Sequence, residues 1–581
     1  MRNLFTLLLA LVVAGNTHAQ QFCLSDQLHQ QRMAANPRYA ASVARATAAW
    51  ASHVSAAAYA KEVITGKDTV YEIPTVVHIV HTGGVIGSQY NPSDAEINGM
   101  IAFLNGTWHA DWPGYLDTAA GGARMPFRFV LAKRDMACNP TTGINRVNGS
   151  SLPNYITYGI CPFGSVPGPS DADVKRLSLW PVQDFYNIWI VPKIENGGVS
   201  GYAPWPWFAD GALIDGAVIV ADATRPVGGV YTLVAPHEVG HNFGLYHTFQ
   251  GGCPNTSCST QGDEICDTEP NEFLAFDCKA GTVNTCTGTT YAGVEHNIMN
   301  YTTCPDRFTK QQRNRILFTQ RNYRMGLANS LGSVAPEPSF VVPAAACTPG
   351  ITFDGNMEDI GPRRIQLGAM VTQSGGYNAD NYKAYLDRTC VQEAARIIQG
   401  NPYTLSVTTG DNPENVRVWI DYNNDGAFAA SELVLSHNGT LANEVHSGTV
   451  TAPATALVNR PLRMRVRSDA TSVTGSDACA NLSYGQAEDY SVIISPRPTS
   501  IPGADKANIR IYPNPAKDML WLETPTAVQV SIFSVEGKLL LQQVTADKLN
   551  ISALAPGLYI VRLSDVQSGN VLQYSKLEVS Y

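Results

Sequence analysis

The feature that most constrains this chain is the segment from His237 to His247, which reads HEVGHNFGLYH. On a helix, His237 and His241 lie four residues apart, so both imidazoles leave the same face. Two neutral imidazoles on one face can bind zinc, and Glu238 between them can reach a water at that metal. Gly244 can turn the backbone out of the helix, and this turn would return His247 as a third ligand.

Three nitrogen ligands indicate a catalytic zinc site, because they leave the fourth zinc position open for water. A structural zinc would normally have four protein ligands, often cysteines. A bare H-E-x-x-H can arise by coincidence, but the added glycine and third histidine at fixed offsets make coincidence far rarer. The sequence therefore predicts that His237, His241 and His247 hold zinc and that Glu238 is the general base.

Two further motifs carry a family resemblance. The segment resembles the H-E-x-x-H-x-x-G-x-x-H motif of the metzincin metalloproteases, and Asn297–Tyr301 (NIMNY) resembles their Met-turn. Leu245–Cys253 (LYHTFQGGC) and Gly262–Pro270 (GDEICDTEP) narrow the resemblance to the pappalysin family, over roughly residues 67–330. The resemblance implies an α+β catalytic domain with a twisted sheet and an active-site helix.

The resemblance also implies roles for three residues after the motif. Met299 would form an apolar floor under the zinc ligands, and the hydroxyl of Tyr301 could stabilise the tetrahedral oxyanion. Asp306 would favour Arg or Lys after the scissile bond. The expected activity is that of a zinc-dependent endopeptidase that hydrolyses proteins or peptides with a metal-activated water.

The N-terminus has the features of a signal peptide, predicted at residues 1–19. Arg2 supplies the positive charge, Leu4 to Ala14 form an apolar core, and Thr17-His18-Ala19 resembles a cleavage site. No other stretch offers the roughly 20 apolar residues of a transmembrane helix. The 12 cysteines fit an oxidising compartment. A formal net charge of −9 argues against a nucleic-acid partner.

Residues 20–66 are Ala-rich and helix-prone, and we interpret them as a propeptide, the alternative being a simple helical spacer. Cys23 lies in this segment. A thiolate is a good zinc ligand and could fill the position that the catalytic water needs. Pappalysins are thought to use such a switch, so we expect Cys23 to bind zinc in a latent form. The alternative is a disulfide, for example with Cys347.

The catalytic domain is predicted over residues 67–332. A capping box at Ser93 and Glu96 begins a helix, and Thr309 caps a last helix that runs to about Leu327. The strand before the zinc helix would by analogy be the sheet edge on which substrate lies. The predicted strands are Thr75–His81, Phe127–Ala132, Ile188–Val191 and Ala217–Ala221.

The loop after His247 contains six cysteines, for which disulfides are favoured over a second zinc site. The family pattern suggests the pairs Cys253–Cys286 and Cys278–Cys304, which leaves Cys258–Cys266. Cys138 and Cys161 flank a loop-rich segment and are predicted to pair. The resemblance implies calcium binding by Asp263, Glu264, Asp267 and Thr268, the alternative being a solvated acidic turn.

After a linker at residues 333–346, a β-sandwich is predicted over residues 347–495. Gly485–Tyr490 (GQAEDY) resembles the signature of the GEVED domain. The strand Val416–Ile420 leads into a loop that matches the calcium-loop formula, with Gly426 at position 6. Its predicted ligands, unless the loop is only a hairpin turn, are Asp421, Asn423, Asp425, Ala427 and Glu432. We expect a Cys390–Cys479 disulfide and find no obvious partner for Cys347.

A second linker at residues 496–506 precedes another small β-domain at residues 507–581. Ile511–Pro515 (IYPNP) and Pro556–Val561 (PGLYIV) resemble the C-terminal sorting domain of type IX secretion. The predicted fold is therefore multidomain, with an α+β metzincin domain followed by two β-sandwich domains. The expected partners are protein or peptide substrates and the type IX secretion machinery, and the expected location is secreted or cell-surface attached.

A different class of function would also suit the β-domains. The chain could be a cell-surface adhesin or carbohydrate-binding protein with a relic protease domain. The intact Glu238 argues against this alternative, because a relic has no chemical need for that carboxylate.

Overall fold

A computed structural model describes residues 23–55, 70–115, 122–207, 214–253, 256–274, 276–337, 341–352, 360–380, 382–473, 475, 477–497, 509–524, 526–535, 537–566 and 571–580. The predicted signal peptide lies outside these residues. The chain divides into two compact units, one that ends at Ser495 and one that begins at Pro496. No helix of the described residues is long and apolar enough to cross a membrane.

The N-terminal segment folds as two helices, α1 (Ser25–Ala35) and α2 (Pro37–Ser55). Helix α2 buries a stripe at intervals of three and four residues, which is the spacing of one helical face. The stripe consists of Tyr39, Val43, Ala46 and Trp50. Its first three residues pack against Trp205, Trp207 and Tyr246 of the following domain, and Trp50 packs against Ile265 and Phe318. Burial of these aromatic rings therefore holds the predicted propeptide on the domain that it precedes.

A six-stranded sheet forms the centre of the region predicted to be the catalytic domain (residues 67–332), here called the catalytic part. Its strands are β1 (Tyr71–His81), β2 (Phe127–Leu131), β3 (Ile144–Asn148), β4 (Tyr186–Val191), β5 (Gly201–Tyr202) and β6 (Ala217–Val220). The order is β2-β1-β4-β6-β5, and β3 also pairs with β1. β1 and β4 run parallel to their neighbours, whereas β5 is antiparallel to β6.

The edge of this sheet differs from the prediction. We expected the strand before the zinc helix to be the edge, but β6 lies between β4 and β5. The edge is the two-residue strand β5, which is too short to show the alternating pattern by which strands are recognised in a sequence.

Helices cover the sheet and follow their predicted caps. Helix α3 (Asp94–Trp108) begins at the Ser93–Glu96 capping box and buries Ile97, Ile101, Leu104 and Trp108. Three more helices follow in the chain: α4 (Tyr155–Tyr158), α5 (Asp171–Lys175) and α6 (Val234–Asn242). Helix α7 (Lys310–Tyr323) has the predicted Thr309 cap but ends before Leu327, and the short helix α8 (Met325–Asn329) continues the chain. The break lies at Arg324, whose guanidinium pairs with buried Asp215 at 2.7 Å.

The region from Pro362 to Ser495, here called the β-module, holds two sheets around one apolar core. Its elements are β7 (Pro362–Leu367), β8 (Met370–Gln373), α9 (Gly376–Ala379), β9 (Tyr385–Asp387), β10 (Ala395–Ile398), β11 (Pro402–Thr409), β12 (Glu414–Ile420), β13 (Leu433–Asn438), β14 (Val445–Thr451), β15 (Pro461–Ala470) and β16 (Gln486–Ser495). One sheet has the order β10-β16-β15-β12-β13, with β9 beside β16, and the other has the order β14-β11-β7-β8.

The β-module is docked on the catalytic part through buried polar contacts. Arg388 is fully buried and pairs with Asp184 of the catalytic part and with Asp380 and Glu488 of the module. A Cys138–Cys390 disulfide, with 5.6 Å between the Cα atoms, crosses the same junction.

The disulfides confirm three predictions and correct two. The pairs Cys253–Cys286, Cys258–Cys266 and Cys278–Cys304 form as predicted. The predicted Cys138–Cys161 and Cys390–Cys479 pairs are wrong, because Cys390 faces the catalytic part and pairs with Cys138. Cys347 pairs with Cys479 instead, since the chain from Gly350 to Thr352 runs beside Leu482. Cys23 and Cys161 are free, so the alternative of a Cys23–Cys347 disulfide is also excluded.

The second unit is built of strands around its own core of residues such as Leu520, Ile532, Val561 and Leu563. Its strands are β17 (Arg510–Tyr512), β18 (Met519–Glu523), β19 (Val528–Ser534), β20 (Leu539–Thr545), β21 (Lys548–Asn550), β22 (Gly557–Asp565) and β23 (Val571–Val579). They form the sheets β17-β18-β21 and β20-β19-β22-β23. The order of the parts, an α+β part followed by β-rich parts, is as predicted. The division of the β-rich parts into two sandwich domains stays a prediction.

Candidate active site

Helix α6 presents His237 and His241 on one buried face. The helix ends at a glycine turn: Gly244 has a φ of 94°, and its N–H donates to the carbonyl of His241. Leu245 N–H donates to the carbonyl of Gly240 at 3.0 Å, which is a helix-ending bond that left-handed glycine allows. This turn reverses the chain and returns His247 toward the helix.

The three predicted ligand histidines converge on one point. His247 Nε2 lies 3.1 Å from His237 Nε2 and 3.2 Å from His241 Nε2. All three side chains are buried. Nitrogen atoms about 2.0–2.1 Å from a shared zinc would be separated by distances close to these.

Each of these histidines has an acceptor at its other ring nitrogen. His237 Nδ1 lies 2.8 Å from the carbonyl oxygen of Ile298, and His241 Nδ1 lies 2.8 Å from that of Leu245. His247 Nδ1 lies 2.7 Å from Asp26 Oδ2. An oxygen acceptor at Nδ1 places the proton there and leaves the Nε2 lone pair directed at a metal.

The electrostatics of the site also fit zinc. Burial lowers the pKa of His237 to about 3 and lowers the pKa of His241 well below its ordinary value. Both imidazoles are therefore neutral near pH 7, and neutral imidazole is the form that binds a metal. The donor set, the convergence of Nε2 atoms and the outer acceptors together fit one zinc ion.

Met299 packs against helix α6. It is fully buried, and a Cβ at Gly240 would approach its sulfur to 2.5 Å. Gly240 therefore lets Met299 pack directly against the histidine-bearing helix, whereas its role as a floor under zinc ligands stays a prediction.

Glu238 is buried beside the histidines. Its Oε2 accepts from Cys23 Sγ at 3.1 Å and lies 3.4 Å from Ser25 Oγ. Burial raises the pKa of Glu238 to about 8. On the other side stands Gly201 of the edge strand, where a Cβ would come within 2.8 Å of the Glu238 side chain. The Glu238 side chain therefore accepts a hydrogen bond within the site and has little room to move away from it.

Cys23 enters this same site. Its sulfur and one ring nitrogen from each of the three histidines all lie within 4.8 Å of one another. The backbone there pairs with the sheet edge, because Cys23 forms a parallel bridge with Gly201 and Leu24 N–H donates to the Gly201 carbonyl at 3.2 Å. The N-terminal segment thus covers both the histidines and strand β5.

Tyr301 forms two hydrogen bonds with the backbone of Cys23. Its hydroxyl accepts from Cys23 N–H at 3.1 Å and donates to the Cys23 carbonyl at 3.3 Å. Burial raises the pKa of Tyr301 well above its ordinary range, so the hydroxyl keeps its proton. The structure therefore places a neutral donor at the point where a main-chain carbonyl meets the site.

Asp306 is held away from the cavity beside the histidines. That cavity, of about 70 Å³, has apolar walls from Leu233, Val234, Phe276, Ile298 and Pro305. The Asp306 carboxylate instead forms a two-bond pair with Arg307 and lies 3.3 Å from His296 Nδ1.

The four predicted calcium ligands of the catalytic part form hydrogen bonds or an ion pair, two of them with each other. Glu264 is paired with Arg315 at 2.7 Å, Asp267 accepts from Gln311 N–H, and Asp263 accepts from Thr268. Within the described residues they do not join a metal-binding cluster. Arg315 neutralises Glu264, so calcium at this loop stays a prediction.

The predicted calcium loop of the β-module is folded around its own oxygens. Asp421 accepts from the N–H groups of Asp425 and Gly426, and Asp425 accepts from Ala427 N–H. Glu432 reaches back to the N–H of Tyr422. Asn423 also accepts from Asp425 N–H. The predicted loop shape is present, whereas its ion stays a prediction.

Sequence reasoning missed two residues of the site. Asp26 orients His247, but an isolated acid in a helix-prone segment gives no sign of a partner 221 positions away. Gly201 makes room for Glu238, and a glycine in a short strand has no distinguishing pattern.

Comparison with known proteins assigns three parts of the chain. Residues 168–319 match the family model described as pregnancy-associated plasma protein-A, residues 415–493 match the GEVED domain, and residues 510–575 match the secretion system C-terminal sorting domain.

Curated relatives match part of the chain. An extracellular metalloprotease of Coccidioides posadasii is 37% identical over 143 residues, which are 23% of this chain and 49% of that protein. One of Neurospora crassa is 39% identical over 182 residues, which are 29% of this chain and 59% of that protein. The chain spans about half the length of the curated relatives it matches.

Solved structures with similarity include a promirolysin mutant of Tannerella forsythia. The two sequences are 23% identical, and the match covers 55% of this chain and 99% of the promirolysin chain, with a TM-score of 0.41. From the family matches and the HEVGHNFGLYH segment, the chain is a secreted or cell-surface protein that carries a pappalysin-family metzincin domain, a GEVED domain and a C-terminal secretion sorting domain.

Proposed function

We propose that this protein is a secreted zinc endopeptidase that is made in a latent form. The observation that carries the proposal is the meeting of three Nε2 atoms, 3.1 and 3.2 Å apart, with the buried carboxylate of Glu238 beside them. Zinc held by His237, His241 and His247 would supply Lewis-acid polarisation of a carbonyl and of the attacking water.

The residues around the histidines have separate roles in peptide hydrolysis. Glu238 takes the proton of the attacking water and passes it to the leaving amine. The hydroxyl of Tyr301, which already contacts a main-chain carbonyl, donates to the oxyanion. Strand β5 offers main-chain hydrogen bonds to an extended substrate at the edge that Cys23 and Leu24 now cover.

Latency follows from the same contacts, and residues 20–66 act as the propeptide. Cys23 places its sulfur among the zinc ligands, where a thiolate would take the position that water needs. Helix α2 anchors the segment by burying Tyr39 and Trp50. Removal of this segment would open the histidines and strand β5 together.

The preference for the substrate residue after the scissile bond would depend on Asp306 and on the cavity beside the histidines. A preference for Arg or Lys after the scissile bond would require Asp306 to release Arg307 and turn toward the cavity. The cavity beside the histidines also has an apolar part, formed by Leu233, Val234 and Phe276, and an apolar substrate side chain could contact this part without such a change.

The remaining parts support export and stability. The C-terminal domain would be read by the type IX secretion machinery, consistent with its family match. The loop from Asp421 to Glu432 would bind calcium in the β-module, because Asp421 and Glu432 already accept from main-chain N–H groups of this loop, which holds it in a turn that carries several oxygen ligands.

The test is a comparison of two variants, each freed of residues 20–66. Glu238→Ala removes the base but no ligand, so it should keep zinc and lose about 10²–10⁴-fold in peptide turnover. His241→Ala should lose zinc as well as activity. Zinc content by atomic absorption and cleavage of casein measure the two effects. A Glu238→Ala variant with near-normal turnover would refute the assignment, and a parent that binds zinc but cleaves nothing would favour the relic-protease alternative.

A further inference from the structure

Three metal-ligating side chains meet in the β-module, on residues that the proposed peptidase chemistry does not use. They are His437 at the end of β13, His446 in β14, and Glu444 in the loop between these strands. We propose that these three residues form a second zinc site, separate from the histidines of helix α6 and from the Asp421–Glu432 loop.

The distances fit a shared ion. His437 Nδ1 lies 2.8 Å from His446 Nδ1, and Glu444 Oε1 lies 3.9 Å from His437 Nδ1. One ligand atom from each residue lies within 4.8 Å of the other two. For tetrahedral zinc at about 2.0–2.1 Å, the two nitrogens would need to separate by only about 0.5 Å.

Outer contacts prepare two of the ligands. His446 Nε2 lies 3.3 Å from the Thr409 hydroxyl, and that hydroxyl donates to the carbonyl of Glu444 at 3.4 Å. The hydroxyl therefore accepts the Nε2 proton of His446, which leaves a lone pair on Nδ1 directed at His437. Glu444 Oε2 accepts from the N–H groups of Thr440 and Leu441, and this leaves Oε1 for a metal.

The backbone is also fitted to this arrangement. A Cβ at Gly439 would come within 2.2 Å of the Glu414 carbonyl and within 2.9 Å of the His446 ring. Glycine at this position lets the loop pass close enough to bring His437 and His446 together.

The site lies where the two sheets of the β-module meet at their edges. Strand β13 is the edge of one sheet of the β-module, and β14 is the edge of the other. One ion bound to His437 and His446 would therefore join the two edges. The His437 side chain is 42% exposed, so the ion can enter from solvent, and three protein ligands leave one position for water.

The ligand types select the metal. Two imidazoles and one carboxylate suit zinc, whereas calcium requires a shell of oxygens. Without a metal, the same two rings would share an N–H···N hydrogen bond, and this is the alternative that an experiment must separate.

Zinc stoichiometry of the full-length protein tests the proposal. After chelation and dialysis against Zn²⁺, the parent should hold two zinc ions per chain. His437→Ala and Glu444→Gln change residues that are partly exposed, so they should fold normally and hold one. His81→Ala, at a partly exposed histidine outside the cluster, should still hold two.

The outcomes separate this site from the proposed active site. His241→Ala should also hold one zinc, and the double variant with His437→Ala should hold none. A thermal melt of His241→Ala with added Zn²⁺ should show a rise in melting temperature that His437→Ala removes from that background. If the parent and His437→Ala bind the same number of zinc ions, the two histidines are only a hydrogen-bonded pair and the proposal is overturned.

Discussion

At the scale of single residues, two side chains of the N-terminal segment contact the histidine cluster that this segment covers. Cys23 supplies sulfur to the histidine cluster, and Asp26 accepts from His247 Nδ1 at 2.7 Å. Gln250, with its amide turned to donate, lies 2.8 Å from the same carboxylate. In the proposed latent form these two residues would act on different functions: Cys23 would exclude water from the metal, and Asp26 would orient His247 as a ligand.

Substitution of these two residues should separate their roles in the uncleaved chain. Cys23→Ala removes the sulfur that excludes water, so peptide cleavage should rise without removal of the propeptide. Asp26→Asn keeps the shape but removes the charge at His247, so zinc affinity should fall by about 10–100-fold with no activation. Fluorogenic-peptide turnover and competition with a zinc chelator measure these effects.

Matched measurements after propeptide removal provide the control. The mature forms of both variants should equal the mature parent, because neither residue remains in them. A Cys23→Ala chain as silent as its parent would show that the segment blocks the cleft by bulk alone, and a disulfide at Cys23 found by mass spectrometry would exclude the switch.

At the scale of elements, the glycine turn after helix α6 decides where the third histidine lies. Gly244 combines a φ of 94° with a close approach, because a Cβ there would come within 2.5 Å of the Thr319 hydroxyl and 2.8 Å of Trp207. Any side chain at this position would therefore strain the backbone of the turn and clash with Thr319 and Trp207.

Gly244→Ala should destabilise the fold and weaken zinc binding. For alanine, the left-handed conformation alone costs about 1–2 kcal/mol of folding free energy. The close contact of the new Cβ with Trp207 should cost more, and relief of this contact would shift the turn that positions His247. Gly252→Ala is the matched control, since Gly252 has a φ of 64° but open space around it. Thermal unfolding and zinc content should fall more for Gly244→Ala than for Gly252→Ala. Equal effects would show that the close packing of the turn has no part in positioning His247.

Local sequence patterns predicted many elements, and non-local contacts account for the errors. The capping boxes at Ser93 and Thr309 lie within four residues and start the helices where expected. Strand β5 has two residues and no periodicity, so the true sheet edge gave no signal. Cys390 pairs across 252 positions with a different part of the fold, and no spacing rule predicts such a partner.

At the scale of the whole chain, the peptidase part and the β-module form one unit. The Cys138–Cys390 disulfide and the buried contacts of Arg388 with Asp184 and Glu488 cross their junction. Removing one partner of such a buried ion pair leaves an uncompensated charge, at a cost of about 3–5 kcal/mol. The disulfide and these buried contacts therefore hold the β-module to the catalytic part.

We propose that this chain is a zinc endopeptidase held inactive by its own N-terminal segment. This proposal can be tested by casein cleavage with the zinc-loaded protein, before and after removal of residues 20–66. The uncut chain should not cleave casein. The shortened chain should cleave it, in a reaction that 1,10-phenanthroline abolishes and added Zn²⁺ restores. Cleavage that is equal in the two forms would contradict the latency, and cleavage that survives removal of the metal would contradict the zinc chemistry.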